Sequence, residues 1–227
     1  MSNPIPLSLS SLRLQTKGNL VLDSGLVIAN GNVNALRLSG LFADLINPAV
    51  GWTDPNGTTV YPRYLGATRG GNMINMSKTE RQVDFDGHRT RVKGLVRIDM
   101  VEPMLKVKLL EMADPTTVRR VLGSTYINQW PIASPTKQYD EFTPSLLVND
   151  LDYIGNICVA ATCSGESQPI LYVLDNARVD QVADMNLVDH NEQVVECTFY
   201  GHALLEAPTS IPMHIFVPTL FHGSSIS

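Results

Sequence analysis

Residues 65–112 constrain the fold most strongly, because they read as consecutive strands with almost no helical periodicity. Apolar and polar residues alternate on both sides of Asp86-Gly87, a pair that favours a two-residue hairpin turn because glycine tolerates positive φ. After the turn, one face of the predicted strand carries four cations, Arg89, Arg91, Lys93 and Arg97. The other face carries Thr90, Val92, Val96 and Ile98. We therefore expect a half-buried strand whose basic face meets a partner, a solvent channel or another subunit.

Extended segments also dominate the second half of the chain. The apolar runs Tyr153–Ala161 and Ile170–Leu174 read as buried strands paired in a hairpin. Glu192–Tyr200 alternates, which predicts that Val195, Cys197 and Phe199 share a buried face. Short strands joined by turns are expected over residues 20–40.

Helix is a minor component of the predicted fold. Asp114-Pro115 offers an N-cap with proline at the first helical position, and Gly123 offers a stop. Gly40–Asn47 is long enough for about two helical turns, which Pro48 would end. The predicted class is mainly β, an antiparallel β-sandwich or partly open barrel with one flanking α-helix.

The predicted domain organisation is an N-terminal arm and one β domain. Residues 1–20 form the arm, and residues 21–227 form the domain, with loops inserted at about 41–64 and 124–150. In the first loop, Asp54-Pro55-Asn56-Gly57 is a strong turn signal. The second is rich in Pro, Ser and Thr, and irregular structure is expected there.

Charge is unevenly spread along this acidic chain of net charge −5. Residues 63–108 hold ten Lys or Arg against five Asp or Glu, whereas residues 150–206 hold ten Asp or Glu against one Arg. Two interpretations stay open: independently solvated faces, or complementary surfaces that meet between copies. Strong direct DNA binding is not expected, since nucleic-acid-binding domains usually carry excess positive charge.

The sequence contains no pattern typical of an enzyme or a metal site. The five histidines are scattered, the Gly-x-Ser-x-Gly pattern is absent, and the three cysteines lack metal-ligand spacing. No run approaches the roughly 20 apolar residues that a membrane helix needs, and the N-terminus does not resemble a signal peptide. We expect a protein that folds in a reducing cytoplasm without cofactor, metal or membrane partner and that is not an enzyme.

The block from Leu65 to Met112 resembles the major tail tube proteins of long-tailed bacteriophages. The family has a Leu-Gly-Ala-Thr-Lys/Arg-Gly-Gly start, an acidic-apolar strand that ends in Asp-Gly, a Val-Lys-Gly-Leu strand and a Glu-x-x-Leu-x-Val-x-Leu-Leu-Glu strand. The matching segments here are Leu65–Gly71, Glu80–Gly87, Arg91–Leu95 and Glu102–Glu111. The stretch VVECTFYGHALLEAPTSIP resembles the closing strand of the family more weakly.

The resemblance implies the tail-tube fold, with six copies in a ring and rings stacked into a hollow virion tail tube. The tube would assemble in the host cytoplasm with the tail tip or initiator, the tape-measure protein and the tail terminator, and DNA would be a transient passenger. Strands between Asn72 and Met112 would line a shared inner barrel, and the loop Gly70–Lys78 would reach a neighbour. The implied subunit-interface residues are Arg69, Asn72, Met73, Lys78, Arg89, Arg91, Lys93 and Arg97.

The row of cations on the predicted strand after Asp86-Gly87 is difficult to reconcile with a DNA channel, because unpaired cations repeated around a lumen would hold the DNA backbone. We expect Arg89, Arg91 and Lys93 to pair with acidic groups, the Asp180–Glu196 region being one candidate. Replacing Arg91 and Lys93 by Glu is expected to impair tube assembly while the monomer stays folded. Two alternatives to the tail tube stay open: the inner tube of a contractile tail or injection device, and a β-sandwich decoration or binding module.

Overall fold

The computed structural model describes residues 25–55, 57–65, 68, 71–83, 94–109, 124–130, 139–144, 147–162, 168–182 and 194–218. Its strands are β1 (Leu26–Ala29), β2 (Trp52–Thr53), β3 (Thr59–Val60), β4 (Arg63–Tyr64), β5 (Met73–Gln82), β6 (Val96–Leu109), β7 (Ser124–Trp130), β8 (Tyr139–Pro144), β9 (Ile154–Ala161), β10 (Ile170–Val182), β11 (Val195–Tyr200) and β12 (Met213–Phe216). Two short helices, α1 (Val33–Ser39) and α2 (Phe42–Leu45), follow β1. A 3₁₀ turn covers Asp150–Asp152.

Eight strands form one antiparallel sheet in the order β4-β1-β9-β10-β11-β6-β5, with β12 also paired to β10. The long strand β10 pairs with β12 over Leu171–Leu174 and with β11 from Arg178 onward. Asn176 lies between these two regions with φ 45°, and the register shifts between Val179 and Gln181. A bulge of this kind bends and twists a sheet. Strands β11, β6 and β5 therefore form a second layer over β1, β9 and β10.

The main core lies between these two layers. Strand β11 contributes Val195, Cys197 and Phe199, which confirms the predicted buried face. Strand β6 contributes Leu105, Val107 and Leu109, and the opposite layer contributes Val27, Ala29, Ile157, Val159 and Leu174. Because successive strand residues point to opposite faces, each strand gives every second side chain to this core.

The two helices cover the other face of β1, β9 and β10. Val33 and Leu36 of α1 and Leu45 of α2 pack on Ile28 and Cys158. Every residue of β9 is buried, because this strand has the second sheet layer on one side and the helices on the other. The molecule is thus a β-sandwich with a helical layer on one face.

The predicted fold class is confirmed: the chain is mainly β and antiparallel, consistent with a sandwich and a flanking helix. The hairpin of β9 and β10 is also confirmed, as is the short helix α2 before Pro48. The Asp54 turn forms too: the Asp54 carbonyl accepts from Gly57 N at 3.0 Å, and its carboxylate accepts from Thr58 N at 2.8 Å. The predicted arm and the predicted helix after Asp114 lie outside the described residues.

Two expectations about local structure are wrong. Residues 33–39 form α1 rather than strands and turns, because the Asn32 side chain caps the helix and Gly40 ends it in the left-handed conformation. Within the segment 124–150, Ser124–Trp130 and Tyr139–Pro144 are not irregular, since they pair as the two-stranded sheet of β7 and β8. Tyr, Ile and Trp in β7 favour a strand even among the surrounding polar residues. The division into arm, domain and inserted loops stays a prediction.

Candidate assembly interface

Strands β5 and β6 form the longest hairpin in the described structure, and the predicted pairing of these two segments is confirmed. The register runs from Met73 opposite Lys106 to Gln82 opposite Val96. The expectation of a loop over Gly70–Lys78 is wrong from Met73 onward, because these residues hydrogen-bond to β6. The turn at Asp86-Gly87 lies outside the described residues.

A bulge in β6 decides which side chains share a face of this hairpin. Thr79 lies opposite Met100 and Glu80 lies opposite Ile98, so Asp99 is the extra residue. Residues directly opposite in an antiparallel pair share a face. Ile98 therefore lies on the face of Glu80, whereas Met100, two residues further along, lies on the opposite face with Thr79.

The bulge keeps the branched aliphatic residues of β6 on one side along the whole strand. Between the bulge and the sandwich, Val101 lies opposite Lys78, Pro103 opposite Met76, and Leu105 opposite Ile74. These residues share the face that enters the core. On the far side, Ile98 and Val96 lie opposite Glu80 and Gln82, which belong to the same face of β5. We call the set Val96, Ile98, Val101 and Met76 the ribbon face.

The ribbon face passes from buried to exposed along the hairpin. Leu105 is 2% exposed, whereas Val96 is 44% and Ile98 is 54% exposed. The expectation that Val96 and Ile98 are buried is therefore wrong within a single chain. Among the described residues, the facing layer of β1, β9 and β10 ends before this part of the hairpin, so no described residue of that layer covers it.

The opposite face of the hairpin, the polar face, carries more charge, and three of its cations contact acidic side chains within the chain. Arg81 Nε contacts Asp99 Oδ2 at 3.1 Å. Lys106 and Lys108 both contact Glu196 on the neighbouring strand β11. The hydrogen bond from Lys106 holds the pKa of Glu196 below its usual range. The exposed half of the ribbon face is mixed, because Val96 and Ile98 of β6 lie opposite Gln82 and Glu80 of β5.

An open groove of about 600 Å³ adjoins the inner part of the ribbon face. It lies between β5 and the sheet of β9, β10 and β12, and is lined by Ile74, Met76, Tyr172, Met213 and Ile215 among others. Met76 belongs to both the groove and the ribbon face. The exposed apolar surface is therefore continuous from the sandwich opening onto the hairpin.

The predicted interface residues divide between the two faces. Lys78 lies on the ribbon face opposite Val101, whereas Met73 and Arg97 lie on the polar face opposite Lys106 and Arg81. Asn72 Nδ2 donates to the carbonyl of Gly25 at 3.4 Å, at the start of β5. Arg69, Arg89, Arg91 and Lys93 lie outside the described residues. The role of all eight residues at a subunit interface stays a prediction.

Sequence patterns alone do not identify the exposed apolar residues of the ribbon face. Alternation predicts that Val96 and Ile98 are buried, and no pattern in the sequence singles out Met76. The alternation of Val96 and Ile98 with polar residues is visible in the sequence. No sequence signal shows that the facing layer of β1, β9 and β10 ends before these two residues.

The acidic segment proposed to pair with the basic row has partners of its own at both ends. Asp180 accepts a hydrogen bond from Arg178 Nε at 3.1 Å, which raises the pKa of Arg178. Glu196 contacts Lys106 and Lys108. Both groups are thus neutralised within the chain. Pairing of Arg89, Arg91 and Lys93 with the remaining acids stays a prediction, because those cations lie outside the described residues.

A smaller cleft of about 200 Å³ lies beside α1, lined by Trp52, Arg37, Asp175, His202 and His214 among others. His214 Nε2 lies 3.0 Å from Asp175 Oδ2. Burial raises the pKa of Asp175, and the positive charges of His214 and Arg37 oppose that shift.

The described residues offer little for catalysis or metal binding. They hold no cluster of three or more His, Cys, Asp or Glu side chains able to bind a metal ion. Burial raises the pKa of Cys197 to about 12 and raises that of Cys158 as well, so neither described thiol is suited to act as a nucleophile. In the same part of the chain, neither helix is long and apolar enough to cross a membrane.

No protein-family model matches this sequence, and no curated protein is significantly similar to it. The features that bear on function are therefore the fold, the exposed ribbon face and the motifs in residues 65–112. Of these, the ribbon face is the feature that a monomer in water leaves unexplained.

Proposed function

We propose that this protein is a structural subunit that assembles with copies of itself into the tail tube of a bacteriophage. The observation that carries the proposal is the ribbon face, which continues the apolar side of the core onto a hairpin that the described residues leave uncovered. Exposed apolar surface of this kind marks a surface that another molecule covers. A second copy of the chain supplies the cover in this proposal.

Strand β5 supports self-association in particular. Among the described strands it pairs only with β6, and at its other edge alternate residues between Met73 and Arg81 present backbone N–H and C=O groups to which no described strand is paired. Exposed edges pair readily with other strands, and closure of a ring removes them. In a ring, each copy would present its hairpin to the next and receive a hairpin on its other side.

The tail tube is proposed rather than another assembly because of the motifs in residues 65–112. The segment that resembles the family's Glu-x-x-Leu-x-Val-x-Leu-Leu-Glu strand supplies Leu105, Val107 and Leu109 of the core in β6. Glu80, where the acidic-apolar segment begins, lies near the end of β5 on the exposed hairpin. The proposed assembly is a stack of six-membered rings that conducts DNA. The inner tube of a contractile tail is the closest alternative.

Negative-stain electron microscopy, with light scattering of the same samples at low and moderate salt, tests the proposal. We expect rings or hollow tubes from the wild-type chain. Ile98→Asp is expected to abolish them, because it replaces an apolar contact by a carboxylate directly opposite Glu80. Met100→Asp is the matched control: Met100 is 52% exposed against 54% for Ile98, but lies on the polar face.

A second candidate is a β-sandwich binding module, favoured by the cleft beside α1 with Trp52 and Arg37 in its wall. The same measurements separate the two. A wild-type chain that remains a monomer at high concentration and both salt conditions contradicts self-assembly and favours the binding module. Disordered aggregates that form equally with Ile98→Asp and Met100→Asp also contradict the proposal.

A further inference from the structure

The groove between β5 and the sheet of β9, β10 and β12 is an uncovered part of the main core. Val159 of β9 belongs to that core, and Ile74 and Tyr172 pack against it, yet all three also line the groove. Met213 and Ile215 of β12 complete the apolar wall, and Ile215 is 55% exposed. We call this the β12 groove. Exposed apolar surface of this kind marks a place where further protein binds.

The described chain begins at Gly25, at one end of the β12 groove. The Gly25 carbonyl accepts a hydrogen bond from Asn72 Nδ2 at 3.4 Å, and Asn72 lines the groove. A Cβ atom at Gly25 would lie 2.7 Å from Val159 Cγ1, so the Gly25 backbone packs directly against a second residue of the lining. Residues 1–24 therefore join the described chain beside the groove.

Strand β1 offers no free edge to the residues that precede it. Gly25 has φ 81°, a left-handed conformation that breaks regular strand geometry. Strand β9 pairs with one edge of β1 from Leu26 to Ala29. On the other edge, Leu65 N donates to the Val27 carbonyl at 3.0 Å, next to the pairs with β4. The β12 groove is therefore the adjacent apolar surface available to the preceding residues.

The sequence just before Gly25 suits an extended segment with one apolar side. It reads Asn-Leu-Val-Leu-Asp over residues 19–23, and short strands are expected from residue 20 onward. Successive side chains of an extended backbone point to opposite sides, so Leu20 and Leu22 share one side and Val21 takes the other. The segment can thus present two leucines to a single apolar surface.

The reach of this segment matches the width of the groove. Val159 pairs with Tyr172, and Tyr172 pairs with Ile215, so two strand spacings, or about 10 Å, separate the first of these residues from the last. At about 3.3–3.6 Å per residue, Leu22 can lie no more than about 11 Å from the start of the described chain, and Leu20 no more than about 18 Å. Leu22 can therefore contact Val159 while Leu20 reaches Ile215.

We propose that residues 19–22 bind in the β12 groove of their own chain, with Leu20 and Leu22 against its apolar wall. The occupant comes from the same chain because a connection of three residues from Leu22 to Gly25 reaches that chain's own groove. The contact belongs to the single chain and does not depend on the proposed tail tube. It divides the exposed apolar surface: this segment covers the groove, and the outer part of the ribbon face remains for a neighbouring copy.

Crosslinking within one chain tests this contact. Leu20→Cys and Ile215→Cys are combined in a Cys163→Ser background, so that the native thiols of known environment are the buried Cys158 and Cys197. We expect a short bismaleimide to link the two introduced thiols within the monomer, at a concentration below that of assembly. Mass spectrometry of the digested monomer identifies the linked peptides.

Val50→Cys replaces Ile215→Cys in the matched control. Val50 is 47% exposed, close to the 55% of Ile215. It lies two residues before Trp52, which packs on Gly155 at the other end of β9 from the groove. The control pair should not link. Linkage no greater for Ile215→Cys than for Val50→Cys would overturn the contact, and links found only between chains would overturn its assignment to the chain's own groove.

Thiol labelling provides an independent test in the full chain. In the Cys163→Ser background, Leu20→Asp combined with Leu22→Asp should raise the maleimide labelling rate of Ile215→Cys by about tenfold, because a charged segment leaves the groove and opens the site. Val21→Asp, on the other side of the extended segment, is the matched control and should leave the rate unchanged. An unchanged rate in the first variant, or an equal rise in both, would overturn the proposal. Circular dichroism of each variant verifies that it is folded.

Discussion

Strand β9 and the outer half of β6 show how two apolar strands of one chain reach different environments. Every residue of β9 is buried, since helices cover one face and the second sheet layer covers the other. In β6, alternate residues from Pro103 to Leu109 are buried, but every residue from Val96 to Met100 is exposed. The difference lies in the layers around each strand. The alternation within a strand indicates which of its faces is apolar. It does not show whether the same chain buries that face.

The bulge at Asp99 makes this comparison informative. With regular alternation, Ile98 would share a face with Met100 and oppose the face of Val101. The observed register instead returns Val96 and Ile98 to the core side of the hairpin. An apolar face that a bulge maintains beyond the core is consistent with a surface that a neighbour covers. Each test below changes one side of the comparison.

The largest expected effect is on the free energy of unfolding, from a substitution in the core between the two sheet layers. Phe199→Ala removes a fully buried ring between the two sheet layers, and we expect a loss of about 3–5 kcal/mol in the free energy of unfolding. Ile98→Ala, on the exposed hairpin, should change this free energy by less than about 0.5 kcal/mol. Urea denaturation below the assembly concentration measures both. Equal losses would show that Ile98 is already buried in the monomer.

A medium effect is expected in the helical layer that makes β9 buried on both faces. Asn32 Oδ1 accepts from Ala35 N at 3.0 Å and caps α1, so Asn32→Ala should cost about 1 kcal/mol of stability. Asn34→Ala, on the exposed side of the same helix, is the matched control and should be close to neutral. Thermal and urea unfolding report the difference. Equal destabilisation by both variants would contradict the role of the cap.

The smallest expected effect is on stability, from the ion pair of Lys106 and Glu196 on the polar face of the hairpin. Because Lys106 lowers the pKa of Glu196, the pair stabilises the fold above the ordinary carboxyl pKa and loses this contribution as pH falls through the lowered value. Glu196→Gln should therefore lower the denaturation midpoint slightly at pH 7 and converge with the wild type at acid pH, below the lowered pKa of Glu196. Glu102→Gln, an exposed carboxylate on β6, is the control. A midpoint difference that persists at low pH would refute this explanation.

Much of the β-sandwich could be predicted from its sequence. The alternation of Val195, Cys197 and Phe199 and the apolar run of β9 specify strands locally, and the structure places them as expected. Helix α1 was missed because a cap at Asn32 and a stop at Gly40, with only Val33 and Leu36 buried, look like a turn-rich segment before the sheet is known. Strand β7 was missed because its surroundings are rich in turn residues.

The exposed ribbon face could be predicted only in part. Alternation correctly separates Val96 and Ile98 from Arg97, but it does not reveal the bulge at Asp99 or the end of the covering layer. Both depend on contacts between residues distant in sequence.

The most direct test is the thiol reactivity of Ile98→Cys and Met100→Cys in the Cys163→Ser background, measured with a small maleimide before and after assembly. Both positions are about half exposed in the single chain, so both variants should react at similar rates as monomers. If a neighbouring copy covers the ribbon face, assembly should slow the labelling of Ile98→Cys by tenfold or more and leave Met100→Cys reactive. Equal reactivity of Ile98→Cys before and after assembly would contradict the account.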